Sequence, residues 1–192
     1  MNGFADLVRA ARTCRRFAED KALDPEALRQ LVDTARIASC AKNRQVLRYI
    51  IVTTPKIRAE VFPHTKWAGA LKWDGPAEGE RPTGYILICS TEPESPFTLY
   101  DAGIAAQTMQ LHAMSMGIGC CMILNYAKKH VHALLELPEE LTPTLLLAFG
   151  VPKEVRRLTD AKIGDNLVYW RDNENVHYVP KLTLDQVLLA EK

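Results

Sequence analysis

Three arginines and a hydroxyl stand within five residues, Arg12-Thr13-Cys14-Arg15-Arg16, where a short helical pattern ends. Guanidinium forks match phosphate oxygens in pairs through charge-assisted hydrogen bonds, so this cluster suits a bound phosphate. The plainer alternative is a solvated basic turn. A second segment, Ala38-Ser39-Cys40-Ala41-Lys42-Asn43-Arg44-Gln45, carries two amides and few bulky side chains. Each amide both donates and accepts, which suits the alternating donors and acceptors along the edge of a flat heterocycle. Its alternative is an ordinary capped connection. A third, Gly117-Ile118-Gly119-Cys120-Cys121, brings two glycines together, so backbone can approach a flat ligand. It follows a helix rather than a strand, and a lone Gly-x-Gly there is no dinucleotide fingerprint.

These segments need elements to hold them. Phe4, Leu7, Val8 and Ala11 have the spacing of one helical face, ending at the basic cluster. Asp24-Pro25 starts a second helix, whose buried face is Leu28, Leu31, Val32 and Ala35. The run 39–45 then connects that helix to a strand at 49–53. Residues 74–82 carry two glycines and two prolines and form a surface loop. Tyr85 to Cys89 reads as a core strand, and Asp101 to Met116 as a helix with a small-residue stripe, Ala102, Ala105, Ala106, Met109 and Ala113. Gly117 stands where a left-handed residue closes a helix, followed by strands at 119–124 and 144–149. The tail, 173–192, combines a polar turn, the segment Tyr178-Val179-Pro180-Lys181 and a short amphipathic end.

Composition narrows the function classes. A chain of 192 residues, 47% apolar and 24% charged, supplies one sizeable core, so a single domain over residues 1–192 is expected. A net charge of +1 offers no general attraction to nucleic acid or an anionic membrane, so any anion site must be local. The segment Met1 to Ala11 lacks the pattern of a signal peptide, and no run reaches the roughly 20 apolar residues of a membrane span; a cytoplasmic protein is expected. Five cysteines, an odd number without a C-x-x-C pair, argue against a disulfide framework or structural zinc. A metal or redox site at Cys120-Cys121 with His130 and His132 is the remaining metal reading, and adjacent cysteines suit one ion poorly, so no metal is expected. His64, His112, His130, His132 and His177 are scattered, and none is nominated as an acid or base. Lys66-Trp67 and Trp73 flank the 74–82 loop and either cover a substrate or pack the loop onto the domain.

Taken together, these segments resemble the nitroreductase family of flavoproteins over essentially the whole chain. Arg12 to Phe17 is similar to that family's Arg-Arg-Ser-x-Arg-x-Phe, and Ala38 to Gln45 resembles its Ala-Pro-Ser-x-x-Asn-x-Gln. Asp101-Ala102-Gly103 through Cys120 resembles a long central helix followed by Gly-Leu-Gly-x-x-Trp; Leu147 to Pro152 resembles a strand ending in Gly-x-Pro. Val179-Pro180-Lys181 is similar to the tail that returns a lysine to a phosphate. The chain departs from the pattern at Ala11, Ser39, Cys40, Met122 and Leu182.

The resemblance implies an α+β fold, a mostly antiparallel central sheet flanked by helices, in an intertwined homodimer with FMN at the interface. It implies cofactor contacts from Arg12, Thr13, Arg15, Arg16, Cys40, Asn43, Gln45, Gly117, Gly119, Cys120 and Lys181, with Arg15 and Arg16 interchangeable by a one-residue slip. Lys66 and Trp67 are the candidate substrate cover. The activity implied is hydride transfer from NAD(P)H through FMN to a nitroaromatic, a quinone or another small oxidant. FMN storage without turnover, dehalogenation and dehydrogenation are the alternatives on the same scaffold.

Overall fold

Strand β2 organises the molecule, because all seven of its residues are buried and both of its faces are covered. The computed structural model describes residues 3–192, so the first two residues of the N-terminal reading lie outside it. The helices are α1 (Phe4–Ala10), α2 (Pro25–Arg36), α3 (Pro55–Val61), α4 (Pro96–Ser115), α5 (Lys128–Leu134) and α6 (Leu184–Val187). The strands are β1 (Leu47–Val52), β2 (Gly84–Ser90), β3 (Gly119–Ile123), β4 (Thr142–Gly150), β5 (Arg156–Ala161), β6 (Trp170–Arg171) and β7 (His177–Leu182).

The main sheet has the order β1-β2-β4-β3, and every neighbouring pair is antiparallel. Alternation along β2 divides the core in two. Tyr85, Leu87 and Cys89 face a cluster with Cys14, Phe17, Val61 and Trp67. Ile86 and Ile88 face the other cluster, where Leu28 and Leu31 of α2 meet Ala102, Ala105, Ala106 and Met109 of α4. The small-residue stripe is therefore the inward face of α4, and its alanines let the helix lie close on the sheet. A second sheet, β5-β7-β6, joins β5 to β7 in parallel and β7 to β6 antiparallel.

Local rules set the helix starts. Asp24 Oδ1 accepts from Glu26 N at 2.9 Å, with Pro25 in the first turn. Ser95 and Thr98 form a reciprocal capping box, so α4 begins at Pro96, five residues before the Asp101 start that periodicity suggests. At its other end Gly117 takes a φ of 74°, the left-handed closure expected there. The apolar stripe of α1 is a different outcome: none of its residues is buried, and Phe4 is 70% exposed. Ala11 does pack inside, but beyond the helix end. Among the described residues no helix is long and apolar enough to cross a membrane.

Candidate functional site: two half-sites at opposite ends of helix α4

Residues 12–17 run along the outer edge of β3. Cys14 N donates to Cys120 O at 2.8 Å, and Phe17 bridges to Pro152. This close approach explains two glycines: a Cβ on Gly119 would stand 2.8 Å from Cys14 Sγ, and one on Gly150 would stand 2.8 Å from the Phe17 ring. Gly119 thus admits Cys14, whereas Gly117 leaves open space.

The edge segment meets the second sheet at a buried carboxylate. Glu154 accepts the backbone N–H of Arg15 on one oxygen and Arg171 Nη2, at 3.1 Å, on the other. Arg156 Nη1 donates to Arg12 O at 3.2 Å, and Arg15 Nη1 lies 3.3 Å from His177 Nε2. Arg15 also stacks over Tyr169 at 4.7 Å, and Arg171 over Trp73 at 4.1 Å. Arg171 thus binds this buried carboxylate directly, and the charges of Arg15, Arg156 and Arg171 all act on His177. Arg12, whose Nη2 donates to Val8 O, lies beside Arg156, and the whole is a local excess of positive charge.

The cluster is also short of acceptors. Arg12 Nε, Arg171 Nε and His177 Nδ1 are buried without a hydrogen-bond partner. Burial, and then the charges of Arg15, Arg171 and Arg156, push the His177 imidazole down to about 4, so it is neutral at neutral pH. With Nε2 accepting from Arg15, the proton sits on Nδ1, which becomes a third unmatched donor. Burial likewise lowers Arg12 and Arg171, with Arg156 adding to the effect at Arg12. An anion with several oxygens satisfies this arrangement better than any neutral group.

Arg16 is engaged elsewhere. Its Nε and Nη2 bind both oxygens of Glu80 at 2.6 Å, pinning the 74–82 loop to the edge segment. That bond raises Arg16 and holds Glu80 below the usual carboxylate range. Desolvation pushes the Cys14 and Cys121 thiols up to about 12 and raises Cys120 well above the ordinary value, so none is an active thiolate. Cys120 and Cys121 alternate on β3 into opposite core clusters, while His130 stacks on His64 and His132 meets Pro138 O. The four residues of the metal reading are thus directed apart.

The amide segment lies at the other end of α4. Ala41 N donates to Asp101 Oδ1 at 2.8 Å, while Asp101 Oδ2 is buried without a partner. Lys42, Asn43 and Gln45 all have positive φ, 53°, 52° and 51°, a run that non-glycine residues rarely adopt. The segment borders a cavity of about 270 Å³ lined by Cys40, Gln45, Tyr49, Asp101, Val32 and Ala105, among others. From Asp101 to Gly117 the helix rises about 24 Å. The structure therefore does not bring the arginine cluster and the amide segment together within one chain. Nor does it bring Lys181 to the cluster: that residue is exposed, four positions from His177 and about 13 Å along β7.

Trp67 is 6% exposed, stacks near Phe62 and donates from Nε1 to Thr65 Oγ1 at 2.8 Å. It is a core residue rather than a movable cover; Lys66 is exposed, its backbone held by Asn125 O. Trp73 reaches the site, through Arg171. Sequence reasoning missed Glu154, Arg156, Arg171 and His177. The run Lys153-Glu154-Val155-Arg156-Arg157 directly after the Gly150 strand end was the available signal. Strand pairing of Arg156 with His177 is what converts it into a site.

An α+β scaffold with a cation-rich edge and a strained amide loop is the class that fold and site define. The model of the nitroreductase family matches residues 8–151, and the chain belongs to that family. Similar solved structures include an FMN-dependent nitroreductase from Clostridium difficile R20291, 19% identical, with a TM-score of 0.67 over 80% of this chain and 90% of that one. A nitroreductase family protein from Clostridium novyi NT is 22% identical, with a TM-score of 0.66 over 79% and 86%. A Parabacteroides distasonis ATCC 8503 protein with a provisional NADH dehydrogenase/NAD(P)H nitroreductase name is 21% identical, with a TM-score of 0.67 over 90% and 99%. No curated protein matches the sequence.

Proposed function

We propose that the chain is one domain over residues 1–192 that binds FMN in a homodimer and works as an NAD(P)H-dependent flavin oxidoreductase. The observation that carries this is the separation of the two half-sites along α4 combined with that helix's outward face. Phe97, Tyr100 and Ile104 are 54%, 68% and 42% exposed, and Gly103 among them leaves open space. A helix apolar on both faces requires a second covering layer. If a two-fold partner covers this row with its own α4 running antiparallel, the start of one helix lies beside the end of the other. Each site then takes cations from one subunit and amides from its partner.

The residues present fit FMN. Arg12, Arg15, Arg156 and Arg171 supply charge for a phosphate dianion, and the unmatched donors of Arg12, Arg171 and His177 supply places for its oxygens. Thr13 is half-buried beside them. Arg15 is favoured over Arg16, whose guanidinium Glu80 already occupies. Cys40, Asn43 and Gln45 would line the ring, with Gly117 giving backbone access. Gly119 and Cys120 contribute through their backbone, because the Cys120 side chain is in the core. FMN, when bound, accepts hydride from a nicotinamide and passes it to an oxidised substrate. The protein's part is to hold the phosphate, orient the ring and place donors where negative charge grows on its pyrimidine edge.

The test is the visible spectrum of the purified protein, with and without added FMN, followed by NADH or NADPH under anaerobic conditions. Flavin bands that bleach support the reading and show which nucleotide serves. A protein that refuses FMN overturns it. A yellow protein that neither nucleotide bleaches supports storage or another flavin chemistry.

A further inference from the structure

Away from the arginine cluster, a smaller cavity of about 110 Å³ opens between α3 and the segment leading into β2. Its wall carries Arg58, Arg81, Tyr85, Phe62 and Glu19. Tyr85 is fully buried, and its hydroxyl has no hydrogen-bond partner; neither has the buried Nε of Arg81. Arg58 spends Nε on Thr53 O and Nη1 on Pro82 O, both at 3.0 Å, so its guanidinium is held in place by backbone carbonyls. Arg81 stacks over Phe62 at 4.9 Å, which fixes its plane. Among the described residues neither arginine has a salt bridge. Glu19 borders the cavity, but one of its oxygens accepts the backbone N–H groups of Gly79 and Arg81.

We propose that this cavity is a second binding site, for a small oxyanion held by Arg58, Arg81 and the Tyr85 hydroxyl. The donors there outnumber the acceptors, and a buried donor without a partner is costly. The cavity has room for several water volumes, enough for phosphate, sulfate or a small carboxylate but not for a nucleotide. With two guanidiniums and one carboxylate on the wall, the excess is a single positive charge, which favours an oxyanion over a neutral ligand. Residues 79–82 pass between the two anion sites: Glu80 turns to Arg16 and Arg81 to this cavity. The site stands whether or not the chain binds FMN.

The experiment uses the full chain and three probes, phosphate, sulfate and acetate, each matched in ionic strength with chloride. Thermal unfolding is followed in the unaltered protein and in Arg15→Gln, Arg81→Gln and Tyr85→Phe. The expected result is an oxyanion-dependent rise in Tm that survives Arg15→Gln. The half-saturating concentration rises at least about tenfold in Arg81→Gln and several-fold in Tyr85→Phe, which removes one hydroxyl. Should Arg81→Gln fail to fold, Tyr85→Phe and the position of selenate in anomalous diffraction decide. A selenate peak between Arg58, Arg81 and Tyr85 supports the site. No peak there, or a Tm rise abolished by Arg15→Gln and unchanged by Tyr85→Phe, overturns it. A response to acetate equal to that to phosphate marks a carboxylate site.

Discussion

The two ends of α4 achieve their geometry by opposite means. At the C-terminal end, residues 12–17 are fixed by strand-edge hydrogen bonds, a buried Glu154 and aromatic stacking on Arg15 and Arg171. At the N-terminal end, residues 40–45 are held mainly by local turn hydrogen bonds, by Ala41 N to Asp101 and by Arg44 to Glu92, and keep three left-handed residues. A cluster of cations gains as an anion site from rigid ordering, because its guanidiniums are already held in place before a ligand arrives. The loop's three left-handed non-glycine residues instead carry local strain.

If the two ends act together across a dimer, breaking the outward row should affect both. Ile104→Glu is expected to give a monomer by analytical ultracentrifugation and to lose FMN binding altogether. A dimer that persists with FMN bound would leave the half-sites without their proposed connection. At the rigid end, Glu154→Ala leaves the arginines facing one another and should cost about 3–5 kcal/mol in denaturant unfolding. A loss below about 1 kcal/mol would mean that water already balances the cluster.

The same end carries a pH signature. His177 is held at about 4 in the folded chain against 6.5 in the unfolded one. Between those values the unfolded chain takes up a proton that the folded chain refuses, so stability falls as pH drops from about 6.5 to about 4. The loss is on the order of 2–3 kcal/mol, and His177→Gln should flatten it. Arg15→Ala and Arg16→Ala then separate binding from scaffolding. The first should weaken FMN roughly 10- to 100-fold; the second should mainly lower stability, through loss of the Glu80 pair. Equal effects on FMN would restore the interchangeability of the two arginines. The smallest effect belongs to the strained end: Gln45→Gly should raise Tm by relieving about 1 kcal/mol, while weakening the flavin by loss of an amide.

Much of the frame follows from local rules. The strands at 47–52, 84–90, 119–123 and 142–150 rest on β-branched and apolar runs, and α2 and α4 on caps and periodicity. Strand β5 was not legible, because Arg156-Arg157-Leu158-Thr159-Asp160 has neither an apolar run nor alternation; its pairing with β7 makes it a strand. Helices α3 and α5 each carry only two large apolar residues, Ile57 with Val61 and Val131 with Leu134, too few for periodicity to mark a face.

The candidate site divides in the same way. Residue types offered Arg12 to Arg16 as a candidate place for phosphate and 38–45 as one for a flat ring, each beside a plainer surface reading. It was the order of several such segments along the chain that favoured the ligand reading. Only the tertiary structure decided which cations share the cluster, since Arg156, Arg171 and His177 arrive from strands more than 140 residues away. It also engaged Arg16 with Glu80, set Lys181 about 13 Å from His177 and put Trp67 in the core. Long-range pairing makes these choices by burial and register, and neither is written in the spacing of any short segment.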